Sequence, residues 1–109
     1  MVLEFLESRP EPLFRKFIAD PVPTSVTIEH AESRLSQAVV FLHFTIAPTD
    51  MEQIMARQSF SEQPYKDPIQ EPSWFRPKTT FRYWSADGGT KQMWFLEEKR
   101  LAYFKQVNP

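Results

Sequence analysis

The residues best suited to chemistry in this 109-residue sequence are its two histidines, His30 and His43. An imidazole can act as a general acid or base near neutral pH, and it is a common metal ligand. Both histidines fall in predicted neighbouring strands, so their side chains can lie within one or two rows of each other. The one carboxylate at a ligand-like spacing is Glu32, two residues after His30. We therefore expect ordinary strand histidines, no catalytic residue, no metal and no cofactor, with a hydrolase or lyase that uses His43 or His30 as an alternative.

Other signatures of catalysis and cofactor binding are missing from the sequence. Glycine occurs only at positions 88 and 89, which excludes phosphate-binding loops and the dinucleotide fingerprint, since both need several glycines before a helix. The absence of cysteine excludes disulfides, thiol catalysis and iron–sulfur sites. The acidic residues have no spacing that specifies a paired active site, and we expect them to be exposed. The sequence therefore favours a binding protein over an enzyme.

Charge and hydropathy limit the classes of partner. The formal net charge is −1 and the basic residues are scattered, which argues against nucleic acid, although residues 78–84 interleave basic and aromatic side chains as RNA-stacking strands do. No stretch approaches the roughly 18 apolar residues of a membrane span. Residues 1–7 lack the basic start of a secretory signal. These features predict a cytoplasmic protein, with one domain over residues 1–109 and no membrane partner.

The elements that must position any site follow from hydrophobic periodicity. The prediction is helices at 11–19 and 49–58 and strands at 25–32, 38–46, 78–86, 91–97 and 101–107. At the start of the second helix, Thr49 and Glu52 match a capping box, in which each side chain accepts a hydrogen bond from the other residue's amide. Met51 and Met55 share one face of that helix, and we interpret them as core residues, with a methionine-lined groove as the alternative.

Turn residues predict the register of a carboxy-terminal β-meander. A Gly-Gly loop at 88–89 places Tyr83 opposite Trp94. A second turn at 98–99 places Trp94 opposite Tyr103. One face of the meander then carries Phe81, Tyr83, Trp94, Leu96, Leu101 and Tyr103, and the other carries Arg82, Trp84, Met93, Phe95, Ala102 and Phe104. Both faces are therefore aromatic.

Two short helices packed on one face can cover only half of a roughly five-stranded antiparallel sheet, so the other face needs a second cover. Residues 59–77 contain four prolines and form a long segment that can cross the sheet or act as a lid. Other candidates are the amino-terminal segment, a second copy of the chain, or a ligand. Because the rings of Tyr83, Trp94 and Tyr103 have polar tips, we expect their face to lie nearer to solvent or a partner.

These patterns favour an α+β domain that acts as a non-enzymatic binding or interaction protein through an aromatic sheet face. The partner is a second copy, giving a homodimer, or another protein. The alternative is a small-molecule-binding domain in which the proline-rich loop lids a pocket that contains Tyr83, Trp94 and His43. The candidate binding residues are Phe41, His43, Tyr65, Trp74, Tyr83, Trp94 and Tyr103.

The order of the elements includes four short motifs, which are Phe14-x-x-Phe17, Pro21-Val22-Pro23-x-Ser25-Val26, Val40-x-Leu42-x-Phe44 and Trp74-Phe75-x-Pro77. Followed by an aromatic meander, this order resembles small uncharacterised bacterial accessory proteins, among them products of mobile (integron) gene cassettes. The resemblance covers much of the chain as a pattern of elements. It contains no catalytic motif and therefore implies no activity and no functional residue.

Overall fold

The computed structural model describes residues 9–69 and 71–108 and has an α+β architecture. Two helices, α1 (Pro10–Phe17) and α2 (Pro48–Arg57), accompany a six-stranded sheet. Its strands are β1 (Thr27–Arg34), β2 (Val39–Thr45), β3 (Ser61–Gln63), β4 (Arg82–Ala86), β5 (Lys91–Leu96) and β6 (Leu101–Val107). All neighbours pair antiparallel, in the order β1-β2-β6-β5-β4-β3. The predicted fold class is confirmed, and the short strand β3 adds one strand to the roughly five that were expected.

Most element boundaries differ from the predicted ones by one or two residues, as helix and strand ends commonly do. The largest difference is at β4, which begins at Arg82 and not at residue 78.

Neither helix of the described part is long and apolar enough to cross a membrane. Residues 1–7, for which the sequence predicted no secretory signal, lie outside the described residues.

Both helices pack on the same face of the sheet, as predicted. Leu13 and Phe14 of α1 are buried there together with Met51, Ile54 and Met55 of α2. The side chains that the sheet contributes to this core are Val40, Leu42, Phe44, Met93, Phe95, Ala102 and Phe104. The two methionines of α2 are therefore core residues, as predicted.

Helix α2 begins differently from the prediction. Its N-cap is Ala47, which makes no side-chain cap hydrogen bond, so the capping box predicted at Thr49 is wrong. Ser25, from outside the helix, accepts a hydrogen bond from the Ala47 N–H at 3.0 Å and donates one to the Asp50 carboxylate at 2.6 Å. Pro48 suits the first helical position because that position needs no amide donor, and this moves the start one residue earlier.

The register of the meander is confirmed. Tyr83 pairs with Trp94, and Trp94 pairs with Tyr103. In the first turn, Gly88 and Gly89 have φ angles of 67° and 92°, a conformation that L-residues rarely adopt. The glycine pair thus permits the tight reversal that sets this register.

The second face of the sheet is covered by the proline-rich part of the same chain, residues 64–69 and 71–77, referred to below as the cover segment. Phe75 of this segment is fully buried against the sheet. The expectation that the second face lies nearer to solvent is therefore wrong, since Tyr83, Trp94 and Tyr103 are 5%, 0% and 7% exposed. Burial of an aromatic face of this extent stabilises the fold, because apolar surface is removed from water. The cover segment is long enough to bury this face.

Candidate functional site

A β-bulge in β1 brings the two histidines together. Ile28 pairs with Phe44 and His30 pairs with His43, which leaves Glu29 as an extra residue in β1. In a regular strand His30 would lie on the same face as Ile28, which packs against the helix-side core. The bulge instead turns His30 to the opposite face, where His43 lies.

His30 and His43 begin a row of side chains that crosses the sheet. Through successive strand pairings the row continues to Tyr103, Trp94 and Tyr83. The rings of His43 and Tyr103 are stacked, with centroids 4.2 Å apart and planes 3° from parallel. The rings of Tyr83 and Trp94 have centroids 5.0 Å apart and planes tilted by 45°. These five residues are referred to as the aromatic row, and its end at β1 is the more open one, because His30 is exposed.

The two imidazoles face each other through their Nδ1 atoms, which are 3.4 Å apart. Their planes are 5° from parallel and their centroids are 5.6 Å apart, which exceeds the nitrogen separation by about one ring diameter. The rings of His30 and His43 therefore meet edge to edge. One Nδ1 can donate a proton to the other only if the second is unprotonated. A pair with both rings charged would set two N–H groups against each other.

The surroundings of His43 favour its neutral form. Burial is the main cause that lowers the pKa of His43, and the charge of His30 lowers it further, while Glu29 acts in the opposite direction. The Nε2 atom of His43 is buried and has no hydrogen-bond partner among the described residues. Charging this ring would therefore leave a buried N–H donor without a partner among the described residues.

Trp74 of the cover segment lies at the β1 end of the aromatic row. Its ring is stacked on that of His30, with centroids 4.8 Å apart and planes 12° from parallel. Trp74 is half-buried and His30 is exposed, so both stacked rings are accessible to solvent. This contact also joins the cover segment to the edge strand β1.

Side chains of the sheet bind the backbone of the cover segment. The indole Nε1 of Trp94 donates to the Lys66 carbonyl at 2.8 Å. The ammonium group of Lys105 donates to the Ile69 carbonyl at 3.0 Å and lies 5.7 Å from the centroid of the Phe41 ring. Lys105 is only 7% exposed, and burial lowers its pKa. The segment is thus attached by directed hydrogen bonds as well as by ring packing.

Phe75 fills the space that the lidded-pocket alternative assigned to a ligand. Its ring centroid lies 5.1 Å from that of Phe41, 5.5 Å from that of Trp94 and 5.0 Å from that of Tyr103. Beneath the cover segment four of the candidate binding residues are buried, namely Phe41, Tyr83, Trp94 and Tyr103. The half-buried candidates are His43, Tyr65 and Trp74. Only this second group can meet a partner directly.

Tyr65 is also tied into the cover segment. Its hydroxyl donates to the Pro77 carbonyl at 3.1 Å. Burial and the neighbouring carboxylate of Asp67 raise the pKa of Tyr65 to about 12. The phenol therefore stays protonated and keeps its hydrogen bond throughout the physiological range.

Two contributions to this region were missed by sequence reasoning. Lys105 lies two residues after Tyr103 in β6, so strand alternation is the signal that places it on the aromatic face. The position of His30 could not be found in that way, because the bulge at Glu29 has no glycine or other marker in the sequence.

A separate polar groove of about 520 Å³ lies beside β3, at the opposite end of the aromatic row. The polar residues of its lining are Ser59, Ser61, Gln63, Lys66, Tyr83, Ser85, Asp87 and Gln92. The groove shares Tyr83 with the aromatic row.

The chemistry of the histidine pair is that of proton sharing and ring contact. Within residues 9–69 and 71–108, no group of three or more His, Cys, Asp or Glu side chains is arranged to hold a metal ion. In the same ranges, no hydrogen bond joins either imidazole to a carboxylate or a hydroxyl group. The pair therefore lacks the oriented partner that a catalytic histidine of a triad has.

The chain matches no protein-family model, no curated protein and no solved structure. The resemblance to bacterial accessory proteins and gene-cassette products therefore stays a prediction.

Proposed function

We propose that this chain is a non-enzymatic interaction protein that binds through the β1 end of the aromatic row, and that its partner is a second copy of the chain. The observation that carries the proposal is the half-exposed indole of Trp74, stacked on the exposed ring of His30. Ile69, on the same cover segment, is an exposed apolar side chain, 63% accessible. The buried members of the aromatic row would act indirectly, by holding the cover segment in place.

Physical reasons support a two-fold contact at this surface. Tryptophan contributes much of the binding free energy in many interfaces, because a large rigid ring loses little conformational entropy on burial. β1 is also an edge strand of the sheet. The N–H and C=O groups on the outer side of an edge strand have no partner strand, and a second chain can pair with them. A two-fold contact places the same surface on both copies and closes the assembly at a dimer.

Sedimentation velocity over about 1–100 µM protein tests the proposal. The wild type is expected to shift from monomer to dimer, and Trp74→Ala is expected to weaken the dimer at least about tenfold, or about 1.4 kcal/mol. Trp84→Ala is the matched control, because Trp84 is also half-buried but packs against the helix-side core. A wild type that stays monomeric throughout, or equal losses in both variants, would contradict self-association through Trp74.

A second candidate function is the binding of a small polar molecule, and the groove beside β3 favours it. Its volume of about 520 Å³ lies within the usual range of ligand sites, about 300–1,000 Å³. Native mass spectrometry of the purified protein would show a retained molecule. Tyr83→Phe should release that molecule, whereas Tyr103→Phe, at a residue outside the groove lining, should retain it.

We further propose a cytoplasmic location and an origin as an accessory protein of a mobile gene cassette.

A further inference from the structure

We infer that the groove between α2 and the β4–β5 hairpin binds a small organic cation, with an ammonium group on an apolar body. The groove has a volume of about 270 Å³. This is just below the range of about 300–1,000 Å³ that is usual for ligand sites, so the groove suits a small ligand. It shares no lining residue with the polar groove beside β3. The inference goes beyond the proposed self-association and does not depend on it.

The groove lies where the helical layer stops covering the sheet. A row of paired residues on the helix side runs from Phe104 of β6 through Met93 and Trp84 to Glu62 of β3. Phe104 and Met93 are fully buried, whereas Trp84 is half-buried and Glu62 is exposed. Burial therefore falls off towards β3, and the indole of Trp84 is only partly covered by the protein itself. A partly covered indole offers a large apolar surface to a ligand.

Both walls of the groove combine apolar and acidic side chains. The wall from α2 includes Met51, Glu52 and Met55. The wall from the hairpin includes Arg82, Trp84, Phe95 and Glu97. Methionine side chains are flexible and polarisable, and they make favourable contacts with aromatic rings. The apolar body of a ligand is therefore expected to lie between the methionines and the indole.

The charges of the lining favour a cation. The guanidinium of Arg82 is already neutralised, because it donates hydrogen bonds of 2.9 and 2.6 Å to the carboxylate of Glu62. Glu52 and Glu97 are exposed and form no salt bridge with any residue that the structure describes. Two uncompensated carboxylates, one on each wall, give the groove a negative potential that attracts a cation and repels an anion.

The indole of Trp84 already contacts a cation of the chain itself. Cζ of Arg82 lies 4.9 Å from the centroid of the Trp84 ring, within the distance of about 6 Å that is typical of cation–π contacts. Positive charge is thus accommodated beside this ring. A bound ammonium group is expected between the carboxylates of Glu52 and Glu97, with the body of the ligand on Trp84.

A titration with phenethylammonium, followed by nuclear magnetic resonance of the full chain, tests the inference. The indole N–H signal of Trp84 reports binding, and its loss in Trp84→Phe identifies it. We expect a dissociation constant below about 1 mM, as is reasonable for so small a ligand. The neutral analogue 2-phenylethanol should bind at least about tenfold more weakly, because it lacks the charge that the carboxylates attract. Equal affinity for the two compounds, or a Trp84 signal that does not shift, would overturn the inference.

Charge-neutralising variants locate the site. Glu52→Gln and Glu97→Gln should each weaken the binding of phenethylammonium at least about threefold, and the double variant at least about tenfold, because each change removes one carboxylate from the groove. Glu98→Gln is the matched control, since Glu98 is also exposed and its loss changes the net charge equally, but it lies outside the lining. Substitutions at exposed positions usually leave the fold intact. An equal loss in Glu98→Gln, or full affinity in the double variant, would show that these carboxylates do not form a cation site.

Discussion

His43 is a residue at which protonation and folding are linked. Its pKa is lowered from 6.5 chiefly by burial and next by the charge of His30, against the opposing effect of Glu29. The unfolded chain accepts a proton on this residue near pH 6.5, while the folded chain resists it until a lower pH. Above pH 6.5 His43 is neutral in both states and does not reduce the free energy of unfolding. As the pH falls from 6.5 towards the pKa of His43 in the folded chain, the free energy of unfolding decreases.

We predict that the free energy of unfolding decreases between pH 7.5 and pH 5.5, with a shallower decrease in His43→Gln. Glutamine cannot be charged, so this part of the pH dependence disappears with the substitution. Urea unfolding at several pH values measures it. His30→Gln is the comparison, because it removes only the second cause of the pKa shift and should flatten the profile less. Parallel profiles for wild type and His43→Gln would contradict the linkage.

At the scale of elements, the cover segment completes the fold. Phe75 is fully buried among aromatic rings of the sheet, whereas its neighbour Trp74 is half-buried. We predict that Phe75→Ala lowers the free energy of unfolding by about 3–5 kcal/mol, through lost burial and the cavity left behind. Trp74→Ala should lower it by less, although it removes more atoms. Urea unfolding of the two variants compares them, and an equal or larger loss for Trp74→Ala would show that Phe75 does not anchor the segment.

The bulge in β1 is the second element-scale feature, and deletions test it. Removing Glu29 leaves Ile28 opposite Phe44 and His30 opposite His43 in a regular ladder, so we predict a folded variant that loses about 1 kcal/mol or less. A variant that lacks Glu32 has the same net charge and chain length as the variant that lacks Glu29. Its deletion, however, interrupts the regular part of the β1–β2 ladder. It would move Arg34 to a position opposite Val40, on the helix-side core, and should lower stability by at least about 3 kcal/mol.

Thermal unfolding of the two deletion variants measures this difference, and a cross-strand contact between the two imidazoles in nuclear magnetic resonance spectra reports the register. Similar losses in both variants would show that the extra residue at position 29 is required by the sheet.

At the scale of the whole molecule, the sheet order decides which parts open first. β2 and β6 lie inside the sheet, whereas β3 is an edge strand of three exposed residues paired only with β4. We predict that amides of β3 exchange with solvent by local opening, and that those of β2 and β6 exchange only near the global free energy of unfolding. Hydrogen exchange with mass spectrometry measures this order. Equal protection of β3 and β2 would show that the edge is covered, as a partner chain would do.

The sequence by itself determined the features that depend on near neighbours along the chain. Periodicity placed both helices and the principal strands, and the turn at Gly88 and Gly89 set the pairing of Tyr83 with Trp94. These features were predictable because a turn permits only a few backbone conformations and each strand alternates its two faces. The Thr49 cap failed at this level because Pro48 and a distant Ser25 altered the helix start.

The tertiary structure alone decided how the two sheet faces are used. Polar ring tips suggested an exposed face, yet the cover segment buries it, because the free energy of removing a whole aromatic face from water outweighs the preference of single groups. The contact of His30 with His43 depends on one extra residue in β1, which reverses the face of every residue on one side of it. Such a bulge is stabilised by the fit of both strand halves to their neighbours, and no local pattern encodes that fit.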